Sequence, residues 1–140
     1  MPEHYEIIDH TADIGIRVKG SSQEELFLYA AEALFDILAT PKRPLIPAIT
    51  YPVAIEADSV DSLMVNWLQE LHLAFDMRRL VLTHFWIDEI TPTRVEGGGK
   101  GLKFDGTRHR LGMQIKAVTY HHLKVEEKNG EWIAEVIFDI

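Results

Sequence analysis

Three acidic groups from opposite ends of the sequence have the chemistry of a metal site. Asp139 and the α-carboxylate of Ile140 occupy the last two positions, and Asp13 lies in a short polar segment near the start. Carboxylates held together repel one another, and a divalent cation with oxygen ligands relieves that repulsion. The three groups therefore predict a site for calcium, magnesium or manganese. The alternative is that Asp13 makes only a local hydrogen bond in a turn, and that the last strand ends where the core ends.

Two strands must bring these acids together for such a site to form. The final strand is predicted over Trp132–Asp139, because its even-numbered residues form one apolar face and two isoleucines lie on the other. That pattern favours an inner strand. Near the start, a strand over Tyr5–Asp9 and a second strand beginning at Ile14 flank a short segment that ends at Asp13. Asp13 is therefore predicted in a tight loop between strands, where binding residues are common.

Two helices are predicted in the first half of the sequence. The first has a capping box formed by Ser22 and Glu25, and its apolar residues repeat at helical spacing as far as Leu38. Prolines then predict a loop from Pro41 to about Pro47. The second helix is capped by Asp58 or Ser59 and continues to about Phe75, again with an apolar face.

Strands dominate the rest of the chain. They are predicted over Pro52–Ala57, Val81–Ile90, Met113–Thr119 and Leu123–Glu127, with a hairpin turn at Lys128-Asn129-Gly130 before the final strand. The run Gly97–Gly101 lacks the ending of a phosphate-binding loop and is predicted to be a flexible hairpin tip. The pattern predicts an α+β fold in which two helices pack on a mostly antiparallel sheet.

Composition limits the classes of function. The chain of 140 residues is 46% hydrophobic, which predicts one domain over residues 1–140. It has no cysteine, which excludes disulfides, thiolate zinc sites and thiol nucleophiles. With 22 acids against 14 bases, its formal charge of −8 argues against general electrostatic binding of nucleic acid, so any RNA-related role is expected to act through a protein partner. No signal peptide or membrane span is recognised, and a soluble cytoplasmic protein is expected.

Three segments together resemble the archease family. They are His10–Gly15, Lys116–His121 and Val136–Ile140, and the resemblance extends over the whole chain. It implies an α+β protein that assists the RtcB-type RNA ligase, which rejoins tRNA halves after intron removal. In that family the ligase does the chemistry and takes guanylate from GTP, whereas the archease promotes guanylylation, allows multiple turnover and widens nucleotide use. The resemblance therefore implies an accessory protein rather than an enzyme, with tRNA contacted only through the ligase.

The resemblance also assigns roles to individual residues. The family's metal ligands fall on Asp13, Asp139 and the Ile140 carboxylate, which are the same three groups that the charge argument selects. Lys116 matches a functionally important lysine of the family, and a lysine beside a carboxylate–metal cluster can hold a phosphate or complete a charge network. Without the resemblance, Lys116 would be interpreted as an exposed strand lysine.

Three histidines, His10, His121 and His122, lie in or beside these motifs. His10 is expected to orient the Asp13 side chain without binding the metal ion itself. His121 either supports the site or is a hydrogen-bonded structural histidine, and His122 is predicted on the opposite face of the same strand. One departure from the family is visible: this chain has Gly101-Leu102 where many relatives have Gly-Glu shortly before Arg108-His109-Arg110. Any role of that glutamate is therefore absent or moved in this chain.

Two other functions remain open from the sequence. The first is a chaperone-like modulator of specificity for a tRNA-modifying enzyme such as a tRNA methyltransferase, a role also associated with archeases. The second is a small metal-dependent hydrolase. A hydrolase needs a group that activates a nucleophile, and no arrangement of residues in the sequence identifies one.

Overall fold

Two helices and ten strands form the part of the chain that this computed structural model describes, residues 4–9 and 13–140. The helices are α1 (Gln23–Leu38) and α2 (Val60–Arg78). The strands are β1 (Tyr5–Asp9), β2 (Asp13–Gly20), β3 (Ala39–Pro41), β4 (Ile49–Glu56), β5 (Leu80–Thr91), β6 (Arg94–Lys103), β7 (His109–Leu111), β8 (Ala117–Val118), β9 (Lys124–Lys128) and β10 (Glu131–Asp139). The described strand pairs are antiparallel, so the predicted α+β class is confirmed.

Serine side chains begin both helices. The Oγ of Ser22 accepts a hydrogen bond from the Glu25 N–H at 3.1 Å, and that of Ser59 accepts from the Ser62 N–H at 3.2 Å. These bonds satisfy N–H groups that have no partner within the helix. The reciprocal half of the predicted capping box differs, because the Glu25 carboxylate reaches the N–H of Ser21 rather than that of Ser22. Ser59, and not Asp58, is the cap of α2.

The final strand β10 is an inner strand, as its alternation predicts. It pairs with β2 along one side and with β9 and then β8 along the other, and β1 completes this sheet beyond β2. The apolar residues of β2 and β10 are buried towards α1. Their intervening residues therefore lie on the outer face of the sheet.

The glycine run is not a hairpin tip, and that prediction is wrong. Gly97–Gly101 lies within β6, the central strand of a sheet ordered β4-β6-β5. The pairing of β5 with β6 has two register irregularities, one between Leu82 and His84 and one between Ile87 and Glu89. A Cβ atom on Gly97 would lie 2.2 Å from the carbonyl oxygen of Trp86, and one on Gly101 would lie 1.8 Å from that of Val81. Glycine is present here because a neighbouring backbone occupies the space of a side chain.

Three other segments differ from the sequence predictions. The predicted strand Met113–Thr119 is reduced to β8, because the N–H groups of Gly112 and Met113 bond to the last carbonyls of α1, at 2.8 and 2.7 Å, instead of to a strand. The strand β3 occupies 39–41, where the loop was predicted to begin, and pairs with β7. The strands β3, β6 and β7 were not predicted. The turn before β10 is confirmed, with Asn129 and Gly130 at positive φ.

Both helices contact strands of the two larger sheets, and the core lies among these layers. The indole N–H of the fully buried Trp67 on α2 donates to the carbonyl of Phe27 on α1 at 2.9 Å. Neither α1 nor α2, the helices of the described residues, combines the length and apolar character that spanning a membrane requires.

Candidate functional site

Asp13 and Asp139 lie directly opposite each other at one end of the largest sheet. Asp13 is the first residue of β2, Asp139 is the last of β10, and the two are partners in the antiparallel register. Their neighbours Ile14 and Phe138 are buried in the core, so the two acids share the outer face. Directly opposed residues have Cβ atoms about 4.5–5.5 Å apart. Two acids distant in sequence therefore meet side by side.

One carboxylate oxygen of this pair has no hydrogen bond to the described part of the chain. Oδ1 of Asp13 is buried and has no partner among residues 4–9 and 13–140, whereas Asp139 is exposed. A buried oxygen that accepts no hydrogen bond destabilises the fold. The Asp139 carboxylate directly opposite adds electrostatic repulsion between the two acids. An ion with oxygen ligands would satisfy this oxygen and offset both charges.

Lys116 and Ile140 adjoin the pair through the backbone of β10. The Lys116 N–H donates to the carbonyl of Asp139 at 2.8 Å, and Ala117 is the register partner of Asp139 on the side away from β2. Lys116 is exposed and precedes β8 rather than lying within a strand. Ile140 is half-buried and packs against the core. Lys116 and Ile140 therefore both lie next to Asp139, at the end of β10.

The histidines do not have the predicted arrangement. His121 and His122 form a turn, not a strand, and His122 has a positive φ of 51°. Their rings are 4.1 Å apart, so the prediction that they point to opposite faces is wrong. The turn is anchored to β10, because the Thr119 hydroxyl donates to the carbonyl of Ile137 at 2.8 Å and accepts from the His121 N–H at 3.2 Å. His10 lies outside the described residues.

A shallow depression lies on the same sheet face, beside the acid pair. Its volume is about 340 Å³, and its lining includes Ile8, Gly15, Ile137 and His122. Gly15 and Ile137 are each two positions along their strands from Asp13 and Asp139, so they follow the acids on the outer face. His122 was not predicted to lie near this face. The one indication in the sequence of a space on this face is Gly15, at the end of the motif His10–Gly15, because glycine has no side chain.

The oxygen ligands proposed for this site suit a hard cation, although only two of them belong to side chains. Within the described part of the chain, no three histidine, cysteine, aspartate or glutamate side chains are grouped so that they could hold a metal ion. Asp13 and Asp139 supply two carboxylates, and the predicted third ligand is a main-chain carboxylate rather than a side chain. Such an oxygen-only set suits calcium, magnesium or manganese better than softer metals.

Comparison with known sequences identifies a family. Residues 5–140 match the sequence model of the archease protein family (MTH1598/TM1083). A protein archease of Pyrococcus abyssi is 37% identical over 145 residues, which cover 99% of this chain and 97% of that protein. A protein archease of Methanopyrus kandleri is 33% identical over 139 residues, covering 97% and 99%.

Solved structures have the same fold. The solution structure of protein 1598 from Methanobacterium thermoautotrophicum is similar with a TM-score of 0.81 and 30% identity, covering 98% of this chain and 99% of that one. The crystal structure of TM1083 from Thermotoga maritima, described as an archease and possible chaperone, has a TM-score of 0.67 over 95% and 94% of the two chains. At 20% identity, this second likeness concerns the fold alone.

Proposed function

This chain belongs to the archease family, and we propose that it is an accessory protein that activates an RtcB-type RNA ligase in tRNA splicing and is not itself an enzyme. It acts in the cytoplasm, promotes guanylylation of the ligase, supports multiple turnover and broadens nucleotide use. GTP is a substrate of the ligase, not of this chain.

One observation carries the proposal: Asp13 pairs with Asp139 on an outer sheet face, and Oδ1 of Asp13 accepts no hydrogen bond from residues 4–9 and 13–140. Together with the Ile140 carboxylate, these acids would hold a divalent ion. When bound, the ion supplies positive charge to an anionic phosphate group. His10 and His121 are proposed to support the ligands.

The position of the acids suggests how they act. They lie at the end of two paired strands rather than in an enclosed cleft, and Asp139 is exposed. This end is proposed to enter the active site of the ligase, where it helps to place metal, nucleotide or the guanylylated histidine, and then to leave. Lys116, fastened through its N–H to Asp139 and otherwise exposed, would bind a phosphate oxygen there.

A second candidate is a chaperone-like modulator of a tRNA-modifying enzyme such as a tRNA methyltransferase. The observation that favours it is the description of the structurally similar Thermotoga maritima protein as a possible chaperone. The two candidates differ in what they require of the acid pair. Activation of the ligase needs Asp13 and Asp139, whereas a chaperone that covers apolar surface does not.

Multiple-turnover RNA ligation by the cognate ligase tests the proposal. The reaction is run with wild-type protein, with Asp139→Ala, and with Glu127→Ala as a control that removes an exposed acid from the same sheet. We expect stimulation by the wild type and the control but not by a folded Asp139→Ala. A further version with residues added after Ile140 removes the proposed carboxylate ligand and is also expected to be inactive.

Four results would each contradict a different part of the proposal. Full stimulation by the extended protein would remove Ile140 from the ligand set. Stimulation by Asp139→Ala would separate activation from the acid pair. No stimulation by the wild type, together with co-purification of a tRNA methyltransferase, would favour the second candidate. Product formed from GTP, RNA and divalent metal by this chain alone would make it an enzyme.

A further inference from the structure

Basic residues are concentrated at one end of the molecule, in a cluster that the net charge conceals. Segments 39–43, 76–80 and 103–111 contain seven bases and only two acids, Asp76 and Asp105. The bases are Lys42, Arg43, Arg78, Arg79, Lys103, Arg108 and Arg110. The rest of the chain then has seven bases against 20 acids. We call these three segments the basic end.

Backbone contacts join the three segments. The Phe104 N–H donates to the carbonyl of Arg79 at 2.7 Å, which connects the end of α2 to the chain after β6. The Lys42 N–H donates to the carbonyl of Arg108 at 2.8 Å. Arg110 faces Thr40 in the pairing of β7 with β3. The seven bases are therefore neighbours in space although they come from distant parts of the sequence.

Most cations of the basic end form no ion pair with the described residues. Elsewhere, Arg17, Arg94 and Lys124 each contact two or three glutamates. Within the basic end, the one ion pair among residues 4–9 and 13–140 joins Arg108 to Asp105 at 3.8 Å. Arg108 is also engaged within the protein, because its Nε is buried and a terminal N–H donates to the carbonyl of Lys103 at 3.3 Å. The other six cations have no ion pair with the described residues, so their charge is available to an external anion.

Three of the seven cations, Arg78, Arg79 and Lys42, already have side-chain contacts within the protein. Arg78 lies 5.7 Å from the ring centre of Tyr51, and Arg79 lies 5.2 Å from that of Phe75. The tight turn before β7 is closed by Thr107, whose N–H and hydroxyl both donate to the Asp105 carboxylate, at 2.8 and 2.7 Å. The side chain of Lys42 donates to the carbonyl of Gly106 at 2.8 Å. Fixed cations lose less conformational entropy when they bind.

We propose that the basic end binds the phosphate backbone of a nucleic acid. Five of its seven cations are arginines, whose planar forked donors match phosphate oxygens, and two of these lie over aromatic rings. Arginines clustered in space form an electrostatic footprint for a polyanion, and the three segments themselves contribute only two acids. The formal charge of −8 is a property of the whole chain and does not describe this end. The site is separate from the acid pair and does not depend on the ligase.

Binding of this chain alone to a short fluorescein-labelled single-stranded RNA tests the proposal, by fluorescence anisotropy over a range of salt concentrations. Arg43→Gln with Arg110→Gln removes two exposed charges from the basic end. Lys19→Gln with Lys128→Gln removes two exposed charges from elsewhere and leaves the same net charge. Thermal unfolding confirms that both proteins are folded.

The expected losses follow from counterion release. Each cation on a phosphate of a single strand contributes about 0.7 to the slope of log affinity against log salt. The Arg43→Gln and Arg110→Gln protein should therefore lose about 1.4 in slope, and roughly 60-fold in affinity near 50 mM salt. The Lys19→Gln and Lys128→Gln protein should bind as the wild type does.

Three outcomes would overturn the proposal. The first is that the wild type shows no binding to the RNA at low salt. The second is that the two doubly substituted proteins lose equal affinity, because the effect would then be one of net charge. The third is that poly-glutamate competes as well as RNA at equal charge concentration, which would assign the basic end to an acidic protein surface instead.

Discussion

Replacing Asp139 with asparagine should raise the free energy of unfolding without divalent cations and lower it with them. Asn keeps the size of the side chain and its place opposite Asp13 in the register. It removes one of the two facing charges, so the repulsion between them disappears. It also removes an oxygen anion from the proposed ion site. The opposite signs distinguish this site from an ordinary surface acid.

The magnitudes follow from the strand pairing. Unit charges about 5 Å apart repel by about 1 kcal/mol in a water-like medium, the suitable limit because Asp139 is exposed. Without cations, Asp139→Asn should therefore be about 1 kcal/mol more stable, or about 3 °C in melting temperature for a chain of this length. A cation at about 100 times its dissociation constant stabilises the wild type by about 2.7 kcal/mol. The wild type should then exceed Asp139→Asn by roughly 1.7 kcal/mol.

Urea unfolding in a chelator and in excess calcium, magnesium or manganese provides the comparison. Glu127→Gln is the matched control, because it removes one exposed charge from the same sheet but faces Trp132 instead of an acid. The control should respond to cations as the wild type does. If Asp139→Asn gains as much stability from the cation as the wild type, the ion site is elsewhere. If it gains none in the chelator, the repulsion argument is wrong.

Two further predictions concern the core and the basic end. Gly101→Ala should destabilise the protein by about 3 kcal/mol or prevent folding, because its Cβ would lie 1.8 Å from the Val81 carbonyl oxygen. The control Gly106→Ala, whose Cβ would meet no atom of residues 4–9 and 13–140 within 4 Å, should unfold at nearly the wild-type urea concentration. Burial lowers the pKa of His109 below its ordinary value of 6.5, so the unfolded chain takes up the proton first and stability is lost as the pH falls below about 6.5. His109→Asn, which keeps an acceptor for the Asp105 N–H, should show a smaller loss between about pH 8 and pH 5 in urea unfolding; an unchanged loss would exclude His109 as its source.

The final strand could be predicted from the sequence because its signal is local. Alternation along Trp132–Asp139 determines which residues face the core, and Ile133 and Ile137 on the opposite face indicate an inner strand. The sequence is compatible with the pairing of Asp13 and Asp139 but does not by itself establish it. That pairing depends on the register between β2 and β10, which is set by the packing of Ile14 and Phe138 rather than by the acids themselves.

The glycine run shows why other features could not be predicted. A run of glycines indicates a turn when considered alone. In the structure, the run is required by the close approach of Trp86 and Val81 on β5, residues that lie 10 or more positions earlier in the sequence. The turn at His122 is similar, because its position depends on hydrogen bonds from Thr119 to Ile137. Non-local contacts of this kind leave no periodic pattern.

The basic end also depends on non-local contacts, and one segment of the chain connects it to the acid pair. Dibasic pairs such as Arg78-Arg79 are visible in the sequence, but only the folded chain brings them together. Hydrogen bonds at Ile115 and Lys116 hold the segment between the two sites in place. The ring of the buried His72 is hydrogen-bonded to the Ile115 carbonyl at 2.8 Å, and the Lys116 N–H donates to the Asp139 carbonyl at 2.8 Å. If both proposals hold, a phosphate backbone at the basic end lies at a fixed distance from the acids, and not on a flexible tether. The protein would then present one partner to the other with a defined geometry, which is what an accessory factor for an RNA-joining enzyme requires.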